Sequence, residues 1–312
     1  MADKKATRAA YGETLLELLA EGVDVYAVDA DLSASTTSIR LAEADPKRHI
    51  NVGIAEQNMI GVAAGLSLTG KTVFTGSFAV FGTGRVYDQI RNTVCYSNLN
   101  VKIAPTHAGI SVGPDGGSHQ MVEDIALMSA LPRMRVLVPA DYLSAKAAIR
   151  IAAMTPGPFY IRMGRANVPL LYESEKGFEL GKARVLRSGC DVSIIACGVE
   201  VTLALQAADM LAEAGIQAEV IDAFSIKPLD EKTLLASVQK TGAVVTAEEH
   251  SVIGGLGSAV ASLLAKNPGI LAKPLCQIGV QDRFGISGEF DELFKEYGLD
   301  AQSIYDTVVQ LS

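Results

Sequence analysis

The chain has 312 residues, of which 49% are hydrophobic and 20% are charged, and this suits two domains that each have an apolar core. No apolar run is long enough to cross a bilayer, and the net charge of −8 disfavours a general attraction to nucleic acid. The N-terminal segment passes from charged residues into an amphipathic helical pattern without signal-peptide features. We therefore expect a cytoplasmic protein that binds neither membranes nor nucleic acid.

Apolar runs typical of strands alternate with helical patterns along the first half of the chain. The predicted strands are VDVYAVDA (23–30), TVFTGSF (72–78), VKIAPTH (101–107), RVLVPA (135–140) and FYIRM (159–163). Between them, AEQNMIGVAAGLSL and RVYDQIRNTVCYS have the apolar spacing of helices packed on a sheet. The alternation predicts an α/β domain with a mainly parallel sheet over residues 1–170.

The pattern changes after residue 170, and residues 171–188 are predicted to form a linker with a short hairpin-like stretch. A second alternating series follows, with predicted strands at 192–198, 218–224, 243–250 and 274–280. This series predicts a smaller α/β domain over residues 189–312, whose sheet can include one antiparallel edge strand. The four cysteines (Cys95, Cys190, Cys197 and Cys276) form no C-x-x-C pair, so we expect reduced thiols and no metal site.

The segment THAGISVGPDGGSHQMVED (106–124) follows a predicted strand and contains several polar side chains between glycines. Ligand sites in open parallel sheets gather at such strand ends, so His107, Asp115 and His119 are candidates. The glycines permit unusual backbone angles and a close approach of a ligand. The alternative is a tight surface loop with solvated histidines.

Glu56 lies in NVGIAEQNMIG, after a strand-like segment and at the start of a helix. An acid there can simply complement the helix dipole. Phe78 and Phe81, in TGSFAVFGTG, follow another predicted strand and could form an apolar wall for a flat ring. Ordinary core packing is the alternative for these two rings.

Arg165, in FYIRMGRANVP, follows a strand and could bind a phosphate in bidentate geometry. Ser33 and Ser35, in DADLSAST, could donate hydrogen bonds to the same phosphate. The alternatives are a solvated arginine and two serines that cap the following helix.

Two familiar nucleotide motifs are missing from the sequence. GGLGSAVAS (254–262) has Val260 where a dinucleotide fingerprint needs its third glycine, so it predicts a glycine-started helix on a sheet rather than a nicotinamide site. No G-x-x-x-x-G-K-[ST] loop occurs, so the sequence does not indicate hydrolysis of a nucleoside triphosphate.

Taken in chain order, these segments resemble the C-terminal half of a transketolase from about Tyr11 to Leu311. The most specific block is the D-G-x-[ST]-H-Q core within residues 106–124. GIAEQNMIGVAAGL, the S-F-x-x-F step and the arginine in RMGRANVP occur in the family's order.

The resemblance implies a role for each matching residue. Glu56 would hydrogen-bond N1′ of the aminopyrimidine of thiamine diphosphate, and Phe78, Phe81 and Asp31 would belong to the same cofactor site. His107, His119 and Asp115 would contact the sugar, and Arg165 and Ser35 its phosphate. The implied reaction, known from the pentose phosphate pathway, transfers a two-carbon ketol unit between sugar phosphates. A carboxyl group buried beside an aromatic ring could share a proton with the pyrimidine.

One family feature is missing, because the sequence contains no G-D-G motif for the diphosphate and its Mg²⁺ or Ca²⁺ ion. The resemblance therefore implies a partner, an N-terminal transketolase subunit with that motif, most simply in an α2β2 assembly. A further family arginine would fall close to Arg8, but its spacing is off by one residue, so Arg8 is not a predicted site residue.

Three alternatives remain open at this point. The β subunit of a 2-oxo-acid dehydrogenase shares the glutamate and the two-domain layout, and a deoxyxylulose-phosphate synthase is also related. The third alternative is a catalytically silent scaffold subunit. His250 is expected to be a structural or interface residue, and the second domain is expected to support dimerisation.

Overall fold

The computed structural model describes residues 3–311 and shows two α/β domains, as the sequence predicts. The strands are β1 Lys4–Ala6, β2 Val25–Asp29, β3 His49–Asn51, β4 Thr72–Gly76, β5 Val101–Ile103, β6 Arg135–Leu137, β7 Phe159–Ile161, β8 Asn167–Pro169, β9 Arg184–Arg187, β10 Val192–Ala196, β11 Ala218–Asp222, β12 Ser225–Lys227, β13 Val244–Ser251 and β14 Cys276–Val280. The helices are α1 Ala9–Ala20, α2 Ser33–Thr36, α3 Ile39–Ala44, α4 Glu56–Ser67, α5 Tyr87–Gln89, α6 Asp124–Ala130, α7 Tyr142–Met154, α8 Glu200–Glu213, α9 Glu231–Thr241, α10 Leu256–Ala265, α11 Phe290–Glu296 and α12 Ala301–Leu311.

The first sheet has seven strands in the order β12-β6-β7-β5-β4-β2-β3. All neighbours are parallel except β12, which pairs antiparallel with β6. Strand β12 comes from the sequence of the second domain, so the two domains share a sheet edge that the sequence did not reveal. Helices α1 and α7 cover one face and α4 packs on the other, which gives the three layers of a buried parallel sheet.

The second sheet has five strands in the order β14-β13-β10-β11-β9. Strand β9 is antiparallel to β11, and the other pairs are parallel, so this sheet includes one antiparallel edge strand, a point that the sequence left open. The segment 171–188 contains no hairpin: its strand β9 joins the second sheet. The GGLGSAVAS segment forms the start of α10, where Gly257 packs closely against Thr246 and Gln277 of the sheet, as predicted.

The predicted strands of both domains are all present, mostly shortened at their ends. The four cysteines are free; Cys95 and Cys197 are buried and Cys190 is exposed. No helix in the described part of the chain is long and apolar enough to span a membrane.

Candidate active site

The carboxyl edge of the first sheet brings the predicted site residues together. Strands β7, β5, β4, β2 and β3 are consecutive neighbours, and each is followed by a predicted residue. In that order, the residues after the strands are Arg165, His107, Phe78, Asp31 and Glu56. Positions that are more than a hundred residues apart in the sequence therefore share one edge, where ligands of parallel sheets commonly bind.

Glu56 is the first residue of α4 and is buried, with 5% of its surface exposed. The Arg85 guanidinium donates a hydrogen bond to its Oε1 at 2.9 Å. Sequence reasoning missed Arg85, because nothing in the spacing of FGTGRVYDQIR distinguishes it from an ordinary surface arginine. A π-helical turn over Val80–Gly84 immediately precedes Arg85, and such turns occur frequently at functional sites.

Two half-buried aromatic rings are linked to this acid through Arg85. The rings of Phe78 and Phe81 are nearly parallel, with centroids 6.2 Å apart. The Arg85 guanidinium lies 4.2 Å from the centre of the Phe81 ring. The His119 and Phe81 rings are nearly perpendicular, with centroids 5.5 Å apart, which connects the rings to the glycine-rich loop (residues 107–121). Neither phenylalanine belongs to the fully buried core, so each ring keeps a partly exposed surface against which a flat apolar ligand can pack.

His107 lies at the start of the glycine-rich loop and is held firmly. Its ring stacks on Phe78 at 3.8 Å, and its Nδ1 shares a hydrogen bond of 2.7 Å with the Thr106 hydroxyl. Burial, together with the positive charges of Arg8 and Arg165, lowers the pKa of His107 to about 3. The imidazole is therefore neutral at pH 7 and can exchange hydrogen bonds with a sugar hydroxyl in either direction.

Two arginines lie close together beyond His107. Arg165 donates to the Val112 carbonyl at 3.0 Å, and Arg8 donates to the Ser35 carbonyl at 3.0 Å. Burial and the charge of Arg165 lower the pKa of Arg8, so the two cations repel each other. A pair of half-buried guanidiniums at one place suits a dianionic ligand. Arg8 was left out of the predicted site, and only the tertiary structure brings it to Ser35.

The predicted acids Asp31 and Asp115 are both exposed. Asp31, in a left-handed conformation with φ of 62°, exchanges hydrogen bonds with Asn51 at the ends of β2 and β3. Asp115 ends the 3₁₀ turn Ile110–Asp115 and makes no side-chain hydrogen bond or ion pair within residues 3–311. The buried acid nearby is Asp29, which sequence reasoning missed.

Asp29 organises the turn that presents Ser35. Its carboxylate accepts hydrogen bonds from the Leu32 amide at 2.8 Å, from the Thr36 hydroxyl at 3.0 Å and from the Ser38 hydroxyl at 2.9 Å. Ser33 and Ser35 lie within the short helix α2, and neither makes a side-chain cap. The alternative interpretation, in which the two serines cap a helix, therefore has no hydrogen bond to support it in α2.

The residues at this edge fit the pyrimidine side of thiamine diphosphate. A buried carboxyl group that is linked through Arg85 to two half-buried aromatic rings can bind an aminopyrimidine through one hydrogen bond and ring packing. Among residues 3–311, no three His, Cys, Asp or Glu side chains are grouped so that they could hold a metal ion.

Comparison with known proteins decides the family. The model of the transketolase pyrimidine-binding domain matches residues 3–169, and that of the transketolase C-terminal domain matches residues 181–304. The chain belongs to the transketolase family. The nicotinamide oxidoreductase that alternating α/β structure alone would allow is thereby excluded.

Several members of this family cover nearly the whole chain. A putative transketolase C-terminal section of Methanocaldococcus jannaschii is 50% identical over 98% of this chain and 96% of its own length. A 6-deoxy-6-sulfo-D-fructose transketolase subunit of a Clostridium species is 44% identical over 95% of this chain and 91% of its own length. A solved structure described as a split gene transketolase, inactive β4 tetramer, has a TM-score of 0.89 and 48% identity, and covers 99% of this chain and 98% of its own.

Longer members of the family match this chain with only part of their length. The chain spans 49% of human transketolase, to which it is 37% identical. Transketolases use thiamine diphosphate, so the family membership supports a transferase that depends on this cofactor.

Proposed function

We propose that this chain is the C-terminal subunit of a two-chain transketolase, and that it transfers a two-carbon ketol unit from a ketose phosphate to an aldose phosphate. The observation on which this rests is a continuous series of contacts. It runs from the Glu56–Arg85 ion pair over Phe81 and Phe78 to His107, and the positive charges of Arg8 and Arg165 act on the His107 imidazole. The part of the site that would bind the cofactor and the part that would bind the phosphate are thus separated by side chains that can bind a sugar.

At the cofactor end, Glu56 would hydrogen-bond the aminopyrimidine and hold or release the proton at N1′. Phe78 and Phe81 would pack against the ring, and Asp31 would lie at the margin of this site. When bound, thiamine diphosphate supplies the carbanion chemistry that breaks and forms the carbon–carbon bond. The protein's part is to orient the pyrimidine, exclude water and place the proton.

At the sugar end, the neutral His107 and the neighbouring His119 would contact the hydroxyl and carbonyl oxygens of the substrate. Asp115, on the same loop, would accept a hydrogen bond from a sugar hydroxyl. Arg165 would bind the substrate phosphate with Ser35, and the structure adds Arg8 to this group.

The diphosphate and its Mg²⁺ or Ca²⁺ ion would be bound by a partner subunit. The sequence has no G-D-G motif, and the described residues contain no cluster suited to a metal. We propose an N-terminal transketolase subunit as that partner, in an α2β2 assembly whose active sites lie between the chains. The Methanocaldococcus relative is named a putative transketolase C-terminal section, and this name supports an enzyme that is divided between two chains.

Reconstitution tests the proposal. The purified chain is mixed with a G-D-G-containing N-terminal subunit, thiamine diphosphate and Mg²⁺, and product formation is followed with a ketose phosphate or pyruvate as donor. We expect ketol transfer to an aldose phosphate only in the mixture, with no decarboxylation of pyruvate. A sulfonated ketose is assayed in parallel, because one relative is named for such a substrate.

Three results would contradict the proposal in different ways. Full activity of the chain alone would remove the need for a partner. Oxidative decarboxylation of pyruvate would indicate a 2-oxo-acid dehydrogenase subunit, whereas condensation of pyruvate with an aldose phosphate would indicate a deoxyxylulose-phosphate synthase. An inactive mixture that forms the complex and binds the cofactor would favour the silent scaffold.

A further inference from the structure

The second domain lies directly against the glycine-rich loop of the first. The loop contains His107, Asp115 and His119, so its conformation determines where these side chains point. Two parts of the second domain reach it: the end of β13, which contains Glu249, and the segment 284–288 before α11. The sequence of either part alone indicates no connection with this loop.

Glu249 forms the most direct contact. Its Oε1 accepts a hydrogen bond of 2.5 Å from the Ser111 amide, at the start of the loop's 3₁₀ turn. The first amides of such a turn have no partner within the turn, so this carboxylate performs the task of a helix cap across the domain boundary. A hydrogen bond to a charged acceptor is stronger than one between neutral groups.

Gly109 leaves room for this carboxylate. The residue has a φ of 79°, and a Cβ atom built on it would lie 2.2 Å from the carboxyl carbon of Glu249. Any larger residue would therefore push the acid away from Ser111. The missing side chain of Gly109 thus leaves room for an acid of the second domain, and it also permits the left-handed backbone.

The segment 284–288 makes a second contact with the loop. The Gln120 amide donates to the Ile286 carbonyl at 2.9 Å and to the Ile110 carbonyl of the loop itself at 3.1 Å. A Cβ atom on Gly117 would lie 2.4 Å from the Gly285 carbonyl oxygen, so the backbones of the loop and of the segment 284–288 pack directly against each other there. The loop is thus bound at its start and near its end by one neighbouring domain.

The position of Glu249 is itself well determined. The side chain is 4% exposed, and burial raises its pKa, with the nearby Arg162 acting in the opposite direction. Arg162 donates to Asp124 at 2.8 Å and to the Glu249 carbonyl at 2.8 Å, and its guanidinium lies 3.7 Å from the Glu249 carboxylate. The next residue, His250, is fully buried and accepts a hydrogen bond from the Ala126 amide, which adds another contact between the domains.

We propose that Glu249 is a positioning residue, through which the second domain holds the glycine-rich loop in the conformation that binds the donor sugar. The inference rests on the proposed function for the identity of the ligand as a sugar. The contact between Glu249 and the loop can be tested without an activity assay. Glu249 does not touch the reacting groups; it acts through the Ser111 amide on the backbone that presents His107 and His119.

Hydrogen exchange of the complete chain tests the contact. Glu249→Met removes the acceptor at similar size, whereas Glu249→Gln keeps an oxygen for the Ser111 amide. We expect amides of residues 107–121 to exchange about tenfold faster in the Met variant, because a hydrogen bond to a charged group is lost. The Gln variant should exchange nearly like the native chain, and peptides from β2 should be unchanged in both.

A control and a second variant complete this experiment. Glu219→Gln alters another acid that is 4% exposed and pairs with Lys240, away from the loop, and it should leave the loop unchanged. Glu249→Ala removes the acceptor with a smaller side chain and should also accelerate exchange in the loop, so the inference stays testable if the Glu249→Met chain does not fold. Unchanged loop exchange in a folded Glu249→Met chain, or equal acceleration throughout that chain, would overturn the inference.

Kinetics of the reconstituted pair give a second readout. Glu249→Met should raise the KM for the donor about tenfold with a smaller change in kcat, and the affinity for thiamine diphosphate should be unchanged. A loss of cofactor affinity with an unchanged donor KM would refute the positioning role. If the native pair transfers no ketol unit, the proposed function fails, and the exchange data still decide whether Glu249 holds the loop.

Discussion

The Arg85 guanidinium forms an ion pair with the buried Glu56 carboxylate at 2.9 Å while it lies over the Phe81 ring at 4.2 Å. These are the two contacts that an aminopyrimidine would need, one hydrogen bond to the acid and one ring face. Arg85 therefore occupies the proposed cofactor position with a flat, charged group. Since its side chain is 47% exposed, it can leave towards solvent when a ligand enters.

Removal of this guanidinium should favour cofactor binding. Arg85→Met keeps an unbranched apolar side chain but frees the Glu56 carboxyl group and the face of Phe81. We expect thiamine diphosphate to bind the reconstituted pair up to about fivefold more tightly, because partly exposed ion pairs contribute up to about 1 kcal/mol. Titration calorimetry measures the affinity. Arg91→Met, an exposed arginine bonded to Asn92, is the matched control, and weaker binding in Arg85→Met would identify Arg85 as a cofactor ligand.

Replacement of Glu56 should abolish most of the activity without unfolding the chain. Glu56→Gln preserves shape and can still meet Arg85 with its carbonyl oxygen, but it cannot exchange a proton with the pyrimidine. We expect the rate of ketol transfer to fall by roughly 10²–10⁴-fold. Initial rates of the reconstituted pair measure the effect, and the exposed Glu43→Gln serves as the control. A native rate in Glu56→Gln would remove Glu56 from the mechanism.

The two neighbouring arginines should act on the phosphate of the substrate. Arg8→Met and Arg165→Met should each raise the donor KM by about 10–100-fold, since each loses a hydrogen bond to a charged group. The same ketose without its phosphate is the internal control, and the variants should use it as well as the native pair does. An equal rise in KM for the ketose with and without its phosphate would contradict a phosphate site. Affinity for thiamine diphosphate should not change in either variant.

The buried His107 should make the chain less stable in acid. Its pKa is 6.5 in the unfolded chain and about 3 in the folded protein, so only the unfolded chain binds a proton between these values. Stability attributable to this residue is therefore complete above pH 6.5 and declines as the pH falls towards 3. The expected slope is about 1.4 kcal/mol per pH unit.

His107→Asn removes this titration and tolerates the left-handed backbone at φ of 61°. Urea unfolding of both chains at several pH values between 6.5 and 4 measures the difference. The free energy of unfolding of the native chain should decline more steeply than that of the variant. Parallel curves would show that His107 is protonated in the folded protein as readily as in the unfolded one.

Much of the fold is determined by local sequence patterns. The apolar runs at 101–107 and 243–250 contain strands because β-branched and apolar residues suit a buried parallel sheet. Strands β9 and β12 were not predicted, since each is short and its stability comes from a partner strand far away in sequence. An edge strand of three or four residues has no periodicity that a sequence pattern could reveal.

The sequence by itself determined the two α/β domains, the family resemblance and most of the candidate residues, because motifs such as D-G-x-[ST]-H-Q are local. The tertiary structure decided which groups meet: Arg85 with Glu56, Arg8 with Ser35, and Glu249 with the Ser111 amide. These contacts join residues that are 29, 27 and 138 positions apart. Such pairs depend on the order and register of the strands and on the packing of one domain against the other, which no single segment of the sequence encodes.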